Sequence, residues 1–272
     1  MSGKSALREP ELTIRDLRPA GGELPYLVEH WYLGPRVCRY MMVRRFREVL
    51  EHAVLAPGQR VLDVGCGWAY GTHWAREAGC RVSGIDLAHD QLAWARHEMP
   101  DGAALGLAQA NARALPYRDA AFDRVVSVET MEHVYRPDRA TVYAELARVL
   151  KPGGHLALST PNVESPIEAA KRLVVRWPAL REHLPSSCLP EASDDPDTYH
   201  PYRYHHPLPA AQLVAGLTAA GFDVRGTERF LWVPKTLPGA LLGPGRALER
   251  LLEALPLVRR FGATLLVWAV RR

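Results

Sequence analysis

Val61-Leu62-Asp63-Val64-Gly65-Cys66-Gly67-Trp68-Ala69-Tyr70-Gly71-Thr72 decides the fold. Val61, Leu62 and Val64 supply an apolar strand. Gly65 and Gly67 supply a turn without side chains, so a ligand can lie against the main chain. A helix starts just beyond. Asp63 stands at the carboxyl end of the strand, where open α/β sheets bind ligands.

Outward from this stretch the chain alternates between two periods. Strands are predicted at 60–64, 81–86, 104–109, 122–128, 155–160, 222–233 and 263–270. Helices are predicted at 72–78, 89–98, 138–150, 209–220 and 245–254, with Gly153-Gly154 and Gly221 as stops. This rhythm predicts an α/β fold: a doubly wound, Rossmann-like, seven-stranded, mostly parallel sheet with helices on both faces. Two segments lie outside the rhythm. Residues 1–53 read as a leader followed by an N-terminal helical cap, whose Tyr26, Trp31, Tyr32 and Tyr40 either cover a pocket or pack on the sheet. Residues 161–208 are proline-rich, without a clear strand, and read as a lid insertion after the fifth strand. The expected division is 1–53 for leader and cap, and 54–272 for the catalytic domain with its lid.

Composition sets wide bounds. The 272 residues are 47% hydrophobic and 24% charged, which suits a sizeable core. The net charge of +4, from 34 basic and 30 acidic residues, is too mild to argue for a nucleic-acid partner. Cys38, Cys66, Cys80 and Cys188 form no CxxC pair, so free thiols in a reducing, cytoplasmic setting are expected. Met1 to Glu11 has no apolar run after its basic residues and does not read as a secretory signal. No run reaches the ~18 apolar residues of a spanning helix.

The ligand follows by elimination. A dinucleotide fingerprint needs a third glycine where Tyr70 stands, and a phosphate-cradling loop needs Gly-Lys-Ser/Thr. Neither is present. What remains is Asp63-x-Gly65-x-Gly67 with Asp86 ending the next strand. A carboxylate there can accept both hydroxyls of a ribose, while Asp63 can hold an ammonium group. A ribose plus a zwitterionic amino acid without phosphate describes S-adenosylmethionine.

With these residues in place the chain resembles the class I S-adenosylmethionine-dependent methyltransferases over about residues 40–233. Val61 to Gly67 matches their first motif, with Ala69 in place of a common third glycine, and Gly84-Ile85-Asp86-Leu87 matches the second. Gln109 to Tyr117 resembles the adenine-binding stretch, with Asn111 where relatives usually carry Asp. Phe122-Asp123 through His133, then Leu150 to Gly154, complete the pattern. The resemblance implies cofactor contacts at Asp63, Gly65, Gly67, Asp86, Leu87, Asn111, Ala112 and Glu129.

Glu129-Thr130-Met131-Glu132-His133 follows the fourth strand, at the same sheet edge. On a short helical turn, positions 129, 132 and 133 share a face. Two carboxylates and an imidazole can bind a divalent cation, Mg2+ or another, and histidine can act as a base near neutrality. The segment is similar to one in ubiquinone-pathway O-methyltransferases, where it is associated with a divalent metal. With Ser159 to Asn162 and Glu164 it is also similar to small-RNA 3′-end methyltransferases. Those add a histidine near the helix at 209, where this chain offers His205 and His206 one and two places off. His133 and His205 are the expected catalytic residues; Glu129, Glu132 and His133 are the expected metal ligands. Structural alternatives are that this turn caps a helix or packs on the cofactor.

The lid also carries His183, Tyr199, His200, Tyr202, Arg203 and Tyr204, fit to close on an aromatic or polyketide-like acceptor or to lie in solvent. The stretch Ile167–Trp177, with Lys171, Arg172 and Arg176, offers a peripheral membrane contact or packing over the pocket. The expected activity is methylation of a small-molecule acceptor, preferentially at oxygen, in secondary metabolite, quinone or lipid-like biosynthesis. RNA methylation and a non-catalytic cofactor-binding role are the alternatives. Oligomeric state is not set by the sequence.

Overall fold

The computed structural model describes residues 7–10, 12, 24–100, 102–175, 177 and 205–272. Tyr199, His200, Tyr202, Arg203, Tyr204 and His183 of the expected lid, and Cys188, lie outside the described residues.

Seven strands form one sheet: β1 (Arg60–Val64), β2 (Arg81–Asp86), β3 (Gly106–Gln109), β4 (Phe122–Val128), β5 (Leu150–Pro161), β6 (Phe222–Phe230) and β7 (Thr264–Arg271). Their order is β3-β2-β1-β4-β5-β7-β6. The first five run parallel, and β7 is antiparallel to both β5 and β6. The strand order reverses at β1, so the crevice for a ligand opens at the carboxyl ends of β1 and its neighbours.

The helices are α1 (Arg36–His52), α2 (Tyr70–Glu77), α3 (His89–Glu98), α4 (Arg139–Val149), α5 (Pro166–Val175), α6 (Ala210–Ala219) and α7 (Leu242–Ala254), with a π-helical turn at Val28–Tyr32. Alternation along the strands splits the core in two. Val61, Val126, Ala157 and Leu266 face a core shared with α1, α2 and α3. Leu62, Val125, Leu156, Leu158 and Leu265 face one shared with α4 and α6. Strands buried on both sides read as near-continuous apolar runs, which is why β1 and β4 stand out in the sequence. Each fully buried Val or Leu contributes about 1.5–3 kcal/mol.

The expected boundaries shift where side chains intervene. β5 begins at Leu150, not His155, because Leu150 pairs with Phe122 across a register irregularity. β6 stops at Phe230, where Leu231 turns to a φ of 68°. The freed amide of Leu231 donates to Glu253 and that of Trp232 to Glu249, at 3.0 and 2.6 Å. α7 starts at Leu242, since Pro244 and its missing N–H are tolerated in a first turn. Of the cap aromatics, Tyr32 is buried edge-on against Trp68, Tyr26 is exposed, and Tyr40 turns toward α7.

Candidate active site

The turn after β1 is held by its own backbone. The amides of Gly65 and Cys66 both donate to the Ile85 carbonyl, at 2.8 and 2.9 Å. Gly65 has a φ of 76°, and a Cβ there would lie 2.2 Å from Thr130 Oγ1, so only glycine fits. Ala69, in the place of the family's third glycine, takes a φ of 65°. At Gly67 a Cβ would come within 3.1 Å of Gln91 Oε1 and 3.4 Å of Leu27, at the edge of the N-terminal cap. Gln91 Oε1 is buried and makes no hydrogen bond. This unfilled acceptor beside a bare backbone is a cradle that suits a ligand with hydrogen-bond donors.

Two carboxylates frame the cradle. Asp63 is buried and accepts a 2.8 Å hydrogen bond from Thr72. Burial, with a smaller push from the Asp86 charge, raises its pKa to about 7. A nearby cation would lower it again, so the site favours a positive group. Asp86 accepts from the amides of Gly67 (2.8 Å) and Ala88 (2.9 Å). Each carboxylate oxygen keeps a further lone pair for a diol. Leu87 is 39% exposed beside it. Asn111 Oδ1 closes its own turn onto the Arg113 amide at 3.0 Å, with Ala112 half-buried within it. The residues present therefore fit the amino acid, ribose and base of S-adenosylmethionine.

β4 pairs with β1 and ends at the same edge. There the chain passes through Glu129 at a φ of 51° and a short 3-10 turn, Met131–His133. Glu129 precedes the turn, which starts at Met131. It lies 3.3 Å from Arg45 of α1 and accepts from Ser159 Oγ at 3.0 Å. These partners hold a residue in a conformation that costs about 1–3 kcal/mol. The expected set Glu129, Glu132 and His133 is thus divided: the structure groups Glu132 and His133 with His205 instead, their ligand atoms all within 4.8 Å of one another. The His133 and His205 rings are 5.5 Å apart. Glu132 is buried and accepts from Thr160 Oγ1 at 2.9 Å. Burial, then the nearby Glu129 charge, push its pKa well above the carboxylate range.

The approach of His205 is fixed by backbone. The His206 amide donates to the Glu132 carbonyl at 2.8 Å. Arg139, buried at the start of α4, donates to the carbonyls of Val134 and His206, at 3.1 and 2.6 Å. Sequence reasoning missed Arg45, Gln91 and Arg139, and gave no role to Thr72 and Thr160 within the motifs it quoted. Only Thr72 adjoins the glycine motif; the others support the site from distant elements.

Residues 62–158 match the Methyltransf_11 family model, described as a methyltransferase domain. Methyltransferase GfsG of Streptomyces halstedii is 37% identical over 138 residues, 48% of this chain and 48% of that protein. The ubiquinone biosynthesis O-methyltransferase of Nitrosococcus oceani is 38% identical over 120 residues, 43% of this chain and 50% of that protein. The chain thus spans about half the length of the curated relatives it matches. A crystal structure of an S-adenosylmethionine-dependent methyltransferase from Mesorhizobium loti shares the fold, with a TM-score of 0.56 at 22% identity, covering 83% of this chain and 96% of that one. No helix among the described residues is long and apolar enough to cross a membrane.

Proposed function

We propose that the protein transfers a methyl group from S-adenosylmethionine to a hydroxyl of a small-molecule acceptor. The observation that carries this reading is the adjacency of two unlike sites at one sheet edge. Beyond β1 and β2 lies a backbone cradle between Asp63 and Asp86; one strand over, beyond β4, lies a cluster of Glu132, His133 and His205. The relatives named for O-methylation support oxygen as the acceptor atom.

Bound S-adenosylmethionine supplies a methyl group already activated on a sulfonium. The chain's task is then position, dryness and one proton. Asp63 orients the ammonium end, Gly65 and Gly67 let it lie on the backbone, and Asp86 with Leu87 holds the ribose. Asn111 and Ala112 border the base. Glu129 closes the shelf from the β4 side while tied to Arg45. His133 or His205 takes the acceptor's proton as its oxygen becomes nucleophilic.

A divalent cation held by Glu132, His133 and His205 would lower the acceptor hydroxyl's pKa. The donor set fits: a carboxyl whose anion is disfavoured by burial faces two imidazoles, and a cation among them supplies the missing positive charge. The test uses methyl-labelled cofactor with phenolic, quinol and polyketide acceptors, with RNA in parallel. Label is expected in a small hydroxylated acceptor. Transfer to RNA alone, or no cofactor binding in calorimetry, would sink the reading. Activity unchanged after chelation would remove the metal and leave the histidine base.

A further inference from the structure

A second charged site lies away from this chemistry, between α1 and α7. α1 places Arg36, Arg39, Arg44 and Arg47 along one face, and α7 places Arg246 and Arg250 one turn apart opposite them. The groove between them has a volume of about 610 Å³, within the range of small-ligand sites. Among the described residues, two carboxylates line it, Glu9 and Glu48.

The six arginines divide by what holds them. Arg44 is neutralised by Glu249 and Glu253, which α7 turns inward. Arg39 and Arg47 share Glu9, each at 3.5 Å. Among the described residues, Arg36, Arg246 and Arg250 have no carboxylate within ion-pair distance. Aromatic rings position several of them. Arg39 lies 4.4 Å over Tyr32, Arg246 lies 4.9 Å over Tyr40, and Arg47 lies 5.9 Å over Trp74. The ring beside Arg246 leaves its N–H donors for a ligand, whereas Arg39 already donates one to the Tyr32 hydroxyl at 3.0 Å.

We propose that this groove binds a small ligand carrying a diphosphate. Arginine rather than lysine throughout suits bidentate contact with phosphate oxygens. At about 1.5 Å per residue, Arg246 and Arg250 lie about 6 Å apart along α7, which matches the span of a diphosphate's outer oxygens and exceeds that of one phosphate. A diphosphate between the arms of Arg36, Arg39 and Arg47 and those of Arg246 and Arg250 ties α7 to α1. Arg44 on α1 already reaches the α7 acids, and its neighbour Arg45 reaches Glu129. The groove is therefore one helix away from the cofactor shelf. The proposal does not depend on methyl transfer.

Calorimetry on the full chain at fixed ionic strength, with inorganic pyrophosphate as probe, tests it. Binding should weaken about a hundredfold in the double variant Arg246→Ala/Arg250→Ala, about tenfold per arginine. Arg246→Lys/Arg250→Lys should recover only part of the loss. Arg36→Ala, which disturbs no stacked ring, should cost about tenfold by itself. S-adenosylmethionine affinity is measured on the same samples and should be unchanged, which separates this test from the cofactor reading. Vesicles of phosphatidylglycerol form the second arm. Their retention without pyrophosphate binding, lost in the same variants, would overturn the diphosphate and make the groove a contact for a lipid headgroup. Absence of binding to both probes, or binding undiminished in both alanine variants, would overturn the proposal.

Discussion

The two halves of the candidate site are built by opposite means. The cofactor half is made of backbone: Gly65 and Cys66 amides on one carbonyl, Gly67 and Ala88 amides on one carboxylate. Apart from Glu129, its parts lie within one stretch, from Asp63 to Asn111. The acceptor half is made of titratable side chains, and His205 reaches Glu132 and His133 from beyond β5 and α5. Backbone geometry forces glycine at particular spacings and so leaves a local signature. The side-chain cluster leaves a local signature only in Glu132-His133, and His205 joins it by tertiary contact. In the proposed function, the first half selects the cofactor and the second takes the acceptor's proton.

This division can be broken by experiment. His133→Ala should lower the rate of methyl transfer by about 10²–10⁴ while cofactor affinity stays level. Steady-state rates alongside calorimetry decide it, and an equal loss in both would merge the halves. Asp86→Ala should weaken S-adenosylmethionine binding by about a hundredfold, since two charge-assisted ribose contacts and the brace on Gly67 go together. Unchanged affinity in calorimetry would remove the ribose assignment.

A gentler probe is pH. Asp63 in the ligand-free protein titrates at about 7, above its ordinary value, chiefly through burial. A cationic ammonium needs the carboxylate, so a proton must leave before binding. Cofactor affinity should fall about tenfold per unit as pH drops from 7 to 5. The sign for stability is opposite. The folded ligand-free chain holds this proton more tightly than the unfolded chain, so the contribution of Asp63 to stability rises as pH falls through the same window. A flat affinity profile from pH 5 to 7 would leave Asp63 without its ammonium role.

What the sequence revealed follows from the same contrast. The strands were readable because a sheet covered on both faces concentrates Val, Leu and Ile in short runs, and β1, β2 and β4 fall at their expected limits. Gly65 was readable because Thr130 leaves no room for a Cβ. Glu129 pairs with Arg45 and Ser159 because the chain enters the 3-10 turn only at Met131, two residues beyond it, a start that helical spacing alone does not reveal. Gln91 and Arg139 were invisible since a polar residue on an amphipathic helix reads as solvent-facing until its neighbour is known. The end of β6 escaped notice for a similar reason: the acids that cap it, Glu249 and Glu253, belong to α7.

The place of β7 also governs when the molecule can become whole. β7 lies between β5 and β6, pairing Leu158 with Val267 and Thr227 with the same Val267. During synthesis β6 is made well before β7 and has no strand to join. Until Thr264–Arg271 emerges, the long outer side of β5 stays open, with Leu156 and Leu158 beside unpaired amides. Exposed strand edges of this kind recruit other chains. The half of the sheet that holds the cofactor can assemble early, whereas its far half waits for the last strand to be threaded in. A nascent chain stalled before residue 264 is therefore expected to aggregate through β5, with its glycine turn already formed.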